Sequence, residues 1–332
     1  MRISSVNNYS YQNNVNWGNR NRKQSPAFRQ ADLDGGSRDS FEREMTAVIM
    51  AGGDGIRLQK PGDDRPKVMQ TIGDPPLPML WHVIKAALDT KKVKEKDIYV
   101  ITGVTSDKVD HTKTNAFVKT YFPLATCITQ PRIIKKADDT WKPGGTGHAV
   151  SMVAPILNEK GRKVDVLVLS GDMPLFKPGT IEALIKAHTD NPDIDLTLMT
   201  ADYKGKGPTP EYGRIIYENG KPCRIVEYAD ATPEQRALTE VNVGMYCINW
   251  DKFADAFDLC TPGQKDKKGL NNINIQNEYY LTDLLDWGYR KGCGTQTFKI
   301  DDIEETAGAN KREELAPIDA ILKARKTGVA DG

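Results

Sequence analysis

A chain of 332 residues, 39% of them hydrophobic, can bury one large core or two modest ones, and no apolar run approaches the roughly 18 residues that a membrane-crossing helix needs. Lys and Arg number 46 against 45 Asp and Glu, and the resulting net charge of +1 supplies no global field for nucleic acid. Five cysteines (Cys127, Cys223, Cys247, Cys260 and Cys293) stand far apart without a CxxC pair, and the four histidines lack metal-ligand spacing. Neither a zinc site nor a disulfide framework is indicated, and a reducing, cytoplasmic setting is expected.

Residues 1–44 are rich in Asn, Ser, Arg and Gln and carry no apolar periodicity, which predicts a disordered extension. No apolar stretch follows Arg2 as a secretory signal requires, and Asp32, Asp34 and Asp39 argue against a transit peptide. From Met45 the pattern alternates strand and helix, the signature of a mainly parallel sheet with crossover helices. The predicted strands cover 46–50, 97–101, 126–129, 164–169 and 196–199, and the predicted helices cover 79–88, 109–122, 146–157 and 180–188. Beyond that the rhythm changes to a hairpin, 213–217 and 223–228, whose Asn219-Gly220 favours a tight turn. A strand at 241–248, helices at 251–260 and 279–289, and an amphipathic terminal helix at 311–326 complete the reading.

The first strand opens into Ala51-Gly52-Gly53-Asp54-Gly55-Ile56-Arg57-Leu58. Glycine tolerates the left-handed dihedrals that turn backbone N–H groups toward an anion, and Arg57 and Lys67 add positive charge suited to phosphates. A dinucleotide fold would run straight into a helix, which Pro61 and Pro66 prevent, and no Gly-Lys-Ser/Thr follows as in a Walker loop. Ligands of such sheets bind beyond the carboxyl ends of the strands. That rule singles out Ser170-Gly171-Asp172-Met173-Pro174, where Asp172 either holds Mg²⁺ or caps the following turn. It also singles out Gln130, which either reads a base edge or is a surface amide. Gly144-Gly145-Thr146-Gly147-His148 opens a helix with either a ligand-facing cluster of N–H groups or an ordinary Thr cap. His148 reads as a packed helix residue rather than a catalyst.

Taken in order, these segments resemble the nucleotide-diphospho-sugar pyrophosphorylases, most closely the uridyltransferase domain of the N-acetylglucosamine-1-phosphate uridyltransferases. The resemblance rests on the glycine loop, Pro66-Lys67-Val68, Gln130, Gly145-Thr146-Gly147-His148-Ala149, Gly171-Asp172-Met173-Pro174-Leu175 and Tyr212-Gly213-Arg214-Ile215. It continues through Ile225-Val226-Glu227, Asp230-Ala231-Thr232, Glu240-Val241-Asn242-Val243-Gly244 and Asn274-Ile275-Gln276-Asn277-Glu278-Tyr279-Tyr280-Leu281-Thr282-Asp283.

The resemblance implies a Rossmann-like α/β fold, a mixed, mainly parallel sheet flanked by helices; the family's β-helix is announced by hexapeptide repeats, which this sequence lacks, so no β-helix domain is expected. It divides the chain into the extension at 1–44, a nucleotidyltransferase domain at 45–300 and a helical arm at 301–332. It implies a Mg²⁺-dependent transfer from UTP to N-acetylglucosamine 1-phosphate, giving UDP-N-acetylglucosamine, a cell-wall precursor, and pyrophosphate. Another sugar 1-phosphate such as glucose 1-phosphate, another nucleotide, or a non-catalytic nucleotide-sugar sensor are the alternatives. Arg57 and Lys67 would be catalytic. Ile49, Met50, Ala51, Gly52, Gly53, Gln130, Gly145, Thr146, Ser170 and Gly171 would bind the nucleotide, and Gly213, Glu227 and Asn242 the sugar. Asp172 and Asn274 would hold the metal, with Asn272 as the alternative to Asn274. No nucleic-acid or membrane partner is implied, and a monomer or weak homodimer is expected. The chain departs from the pattern at Ile56, Pro143, Ser170, Val243 and Ile275, which replace the usual Thr, Gln, aromatic, Thr and Ala.

Overall fold

The computed structural model describes residues 43–137, 139–159, 163–259, 269–271, 274 and 276–327. The expected disordered extension lies outside the described residues except for its last two. Arg43 donates to Asp165 and Asn249 at 2.6 and 2.7 Å, and Glu44 begins the first strand. Cys260, Asn272 and Ile275 also fall outside the described residues.

Four strands, β1 (Glu44–Ala51), β2 (Ile98–Thr102), β3 (Thr126–Thr129) and β4 (Val164–Ser170), run parallel in the order β4-β1-β2-β3. Successive side chains of a strand point to opposite faces, so a strand covered on both sides must be apolar throughout. Ala47, Ile49, Leu167 and Leu169 pack toward helices α1 (Met79–Asp89) and α2 (Thr112–Tyr121). Val48, Val166 and Val168 instead join Ala149 and Val150 of α3 (Thr146–Ser151) on the other face. Helix α4 (Pro178–Thr189) adds Ile181, Leu184 and Ile185 to the first layer.

The second half of the sheet comprises β5 (Leu196–Asp202), β6 (Arg214–Glu218), β7 (Lys221–Val226), β8 (Glu240–Asn249) and β9 (Thr295–Ile300). β8 is antiparallel to β4, β5 and β6, and β9 is parallel to β5. Asn219 and Gly220 take φ of 50° and 75°, the pair of left-handed residues that a tight two-residue hairpin demands. Helix α5 (Asp283–Lys291) covers this half, and α6 (Leu315–Thr327) closes the described chain. The result is a mixed sheet, parallel on the side carrying the glycine loop and flanked by helices. Among the described residues no helix is long and apolar enough to cross a membrane.

Several elements differ from expectation. The helix expected over 146–157 stops at Ser151 and restarts at Ala154–Leu157 with a proline in its first turn, because Pro155 has no N–H to continue the ladder. The helix expected over 279–289 begins only at Asp283. Tyr279 is already committed: its N–H donates to Gly144 O and its carbonyl accepts from Gly147 N–H, both at 2.7 Å. The expected 251–260 helix is a short turn, Trp250–Phe253, followed by a 3-10 turn at Ala254–Phe257. The segment after β9 folds back on the domain: Ile318 of α6 packs with Leu58, Ile72, Met79, Leu175 and Ala309.

Candidate active site

The glycine loop is held from below and from the side. Gly55 has φ 64°, and a β-carbon there would run into the side chain of Lys67. Gly52 lies so close to its neighbours that a β-carbon would sit 3.3 Å from Gln130 Oε1 and from the Thr102 carbonyl carbon. Asp54 accepts from Arg132 at 3.0 Å and from His111 Nε2 at 3.3 Å. The His111 tautomer follows from its other nitrogen: Nδ1 accepts from Gly103 N–H at 3.2 Å, so the ring proton sits on Nε2. The hydrogen bond from His111, reinforced by the Arg132 charge, holds the Asp54 carboxyl below the usual carboxylate range. Leu58 is buried and pins the loop's end, whereas Ile56 and Arg57 are exposed.

Most of the sequence-predicted nucleotide residues converge on one rim at the carboxyl ends of β1, β3 and β4. Gln130 is buried, its Nε2 donating to Gly145 O at 2.9 Å and to His148 Nδ1 at 3.1 Å. Burial pushes the His148 imidazole down, which suits a neutral ring accepting at Nδ1. Gly171 N–H donates to Met50 O at 3.0 Å, and Ser170 lies opposite Met50 in the ladder. Gly145, at φ 93°, caps α3 without a side-chain bond. Thr146, expected as the cap, instead accepts from Leu281 N–H at 2.9 Å through its hydroxyl. Gly53 is exposed at the loop tip. Ile49 stands apart, wholly buried, with its side chain in the core.

Lys67, Asp172 and a residue missed in the sequence form the charged centre. Asp172 follows β4, and its Oδ2 accepts from Lys67 Nζ. Lys67 Nζ also donates to Asn310 Oδ1 at 3.0 Å, and Ala309 N–H donates to Asp172 O at 3.2 Å. A carboxylate oxygen and an amide oxygen from distant segments thus converge on a single cation. Asn274, expected to share the metal with Asp172, is occupied elsewhere. Its Oδ1 accepts from Gln276 N–H and Glu278 N–H at 3.2 and 3.1 Å, filling both lone pairs to shape its own loop.

These oxygens fit Mg²⁺ in kind, since the ion takes few carboxylates and completes its shell with water and substrate phosphate. The ammonium of Lys67 already stands where the Asp172 and Asn310 oxygens meet a positive charge. Among the described residues no three His, Cys, Asp or Glu side chains form a closed metal cage. Next to Asn310, a β-carbon on Gly308 would be tight, 3.1 Å from Met173 Cγ and 3.2 Å from Asp172 O, so the small pair Gly308-Ala309 makes a close approach to the Asp172 turn.

The three sequence-predicted sugar residues also come together. Asn242 N–H donates to Gly213 O at 2.8 Å, and a β-carbon on Gly213 would lie 3.7 Å from both Glu227 carboxylate oxygens and 2.5 Å from Ile225 Cγ2. The register of β8 breaks between Asn242 and Tyr246, with Gly244 at φ 79°, and Asn242 Nδ2 donates to Tyr246 OH at 2.7 Å. Glu227 accepts from Thr282 Oγ1 at 2.8 Å, and burial pushes its carboxyl up. Asp283 is raised to about 6, first by burial and then by Asp286, Glu227 and Asp230. Among the described residues the buried Tyr280 hydroxyl has no hydrogen-bond partner. A buried polar group of this kind is costly unless something hydrogen-bonds to it.

The charged group beside the glycine loop and the polar group of Gly213, Glu227 and Asn242 thus lie at the same end of one sheet. The chain belongs to the nucleotidyl transferase family, whose pattern it matches over residues 46–283. It is similar to the bifunctional protein GlmU of Desulfitobacterium hafniense, with 31% identity over 279 residues, 84% of this chain and 52% of that protein. The bifunctional protein GlmU of Geotalea uraniireducens is 32% identical over 282 residues, 85% of this chain and 53% of that protein. The chain therefore spans about half the length of the curated relatives it matches. Among solved structures, CMP:2-keto-3-deoxy-manno-octonic acid synthetase complexed with CTP has a TM-score of 0.54 at 17% identity, covering 85% of this chain and 99% of that one. UDP-glucose pyrophosphorylase complexed with UDP-glucose has a TM-score of 0.51 at 15% identity, covering 84% and 99%. These two likenesses bear on the fold alone.

Proposed function

We propose that the protein is a uridylyltransferase that makes UDP-N-acetylglucosamine and pyrophosphate from UTP and N-acetylglucosamine 1-phosphate. The observation that carries this reading is the convergence of Lys67, Asp172 and Asn310 beside the glycine loop, with Gly213, Glu227 and Asn242 brought together at the same end of the sheet. A phosphate oxygen of the sugar 1-phosphate attacks the α-phosphorus of UTP, a new P–O bond forms, and the bond to the pyrophosphate leaving group breaks. The attacking oxygen is already anionic, so no general base is needed, and the task is positioning and charge neutralisation.

In this account the backbone of residues 51–53 meets the nucleotide, with Gln130 and Gly145 fixing its base side. Exposed Arg57 is free to reach the outer phosphates, while Lys67 serves the phosphates from beneath the loop. Glu227 accepts from sugar hydroxyls, each bond strengthened by its charge, and Asn242 and the Tyr280 hydroxyl offer donors to the sugar's oxygens. Asp172 and Asn310 would hold Mg²⁺, which supplies further neutralisation of phosphate charge when bound.

The GlmU similarity at 31% identity supports the class and favours the amino sugar among its members. Pyrophosphate release, assayed with UTP against N-acetylglucosamine 1-phosphate, tests the reading, and absence of release with every sugar 1-phosphate tried would overturn it.

A further inference from the structure

Lys67 serves two masters in this fold, and the geometry fixes only one end of it. Its root is clamped under the glycine loop, where Gly55 leaves no room for a β-carbon. Its ammonium reaches across to the oxygens of Asp172 and Asn310, each from a different part of the chain. The Lys67 and Asp172 side chains are only 16% and 19% exposed, so solvent screens this contact weakly. A divalent cation held by Asp172 and Asn310 would sit beside that ammonium, and the two positive charges would repel across a poorly screened gap. Phosphate oxygens above the glycine loop are the competing destination for Lys67, within the swing of a four-carbon stem.

We infer that Lys67 is the resident counter-cation of the Asp172–Asn310 pair in the substrate-free protein, and that nucleoside triphosphate draws it away and opens the pair to a metal ion. This inference rests on the reading that a nucleotide binds over the glycine loop. Metal and nucleotide are then coupled through one side chain: each binds more tightly once the other is present.

Mn²⁺, followed by electron paramagnetic resonance of the free ion, is the probe. Without nucleotide, Lys67→Gln should bind Mn²⁺ at least about tenfold more tightly than the wild type, a gap within the usual range of coupling between sites. With a saturating non-hydrolysable UTP analogue the wild type should tighten and the gap should close. Lys67→Met, which also keeps the stem, carries the same comparison should Lys67→Gln fail to fold. Equal or weaker Mn²⁺ binding by a folded variant, or a gap that the nucleotide analogue leaves unchanged, would overturn the inference. Such a failure is separable from failure of the transferase reading, since pyrophosphate release by the wild type reports that reading independently.

Discussion

Gly55 and Lys67 touch: the backbone of the glycine loop rests on the Cβ of the lysine, at a point where residue 55 has φ 64°. Two separate requirements therefore fall on one glycine, a left-handed backbone and the absence of a side chain. Gly55→Ala should cost roughly 1–3 kcal/mol of stability from backbone strain alone and should displace the Lys67 ammonium from Asp172. Thermal melting and steady-state kinetics check both effects. As a stability control, Gly53→Ala meets open space and should melt as the wild type does.

Lys67→Ala and Arg57→Ala should each lower kcat by about 10²-fold or more, the size of a lost charge-stabilising contact in a phosphoryl transition state. Arg57 is exposed and lies outside the Lys67–Asp172–Asn310 group, so Arg57→Ala should leave Mn²⁺ binding as it was. A normal kcat for either variant would remove that residue from the phosphate clamp.

The two asparagines separate by experiment. Asn310→Ala should lower turnover by about 10²-fold and weaken Mn²⁺ binding, with little change in melting, because Asn310 is exposed on the protein surface. Asn274→Ala strips the acceptor from two backbone N–H groups and should cost about 1–3 kcal/mol of stability. Its Mn²⁺ affinity should stay near the wild-type value. The opposite pattern would restore Asn274 to the metal.

That contrast also marks what the sequence could and could not convey. β3 covers the expected residues 126–129, and Asn219-Gly220 forms the expected turn, which depends only on neighbours in the chain. β9 reads Thr-Gln-Thr-Phe-Lys-Ile and lacks an apolar run, so only its ladder with β5 reveals it as a strand. The hairpin of Arg132–Lys135 and Trp141–Pro143 is made of two very short strands bounded by prolines, and it too escaped the pattern. The resemblance selected Gly52, Gln130 and Gly145, and the structure brings them into contact. Asn310 acquires meaning only when α6 folds back on Leu58 and Leu175, and no local pattern encodes that packing. The same holds for the Asp54–His111–Arg132 contact that braces the glycine loop.

Asp283 supplies a pH-dependent test of the pocket. Its carboxyl is pushed up to about 6 from 3.8, so between those values the folded protein keeps a proton that the unfolded chain releases. Stability from this group is fully present below the lower value and is lost as pH rises through the higher one. Asp283→Asn should therefore stabilise the protein at pH 7 by about 1–3 kcal/mol, at ~1.4 kcal/mol per pKa unit reduced for partial exposure. It should bring no gain near pH 4. Melting at the two pH values decides, and an equal shift at both would contradict the raised carboxyl.

The central claim is the reaction and its sugar, and the most direct measurement is kcat/KM for pyrophosphate release with UTP and a panel of sugar 1-phosphates. A pocket that pairs Glu227, Asn242 and Tyr280 with particular hydroxyl and acetamido groups strands buried polar atoms when a group is missing. N-acetylglucosamine 1-phosphate should surpass glucose 1-phosphate by at least about tenfold, a bound set below the usual discrimination for lost hydrogen bonds because Ser170 and Val243 depart from the family pattern. Equal efficiency, or a preference for glucose 1-phosphate, would contradict the N-acetylglucosamine assignment, and no pyrophosphate release with any member of the panel would contradict the transferase itself.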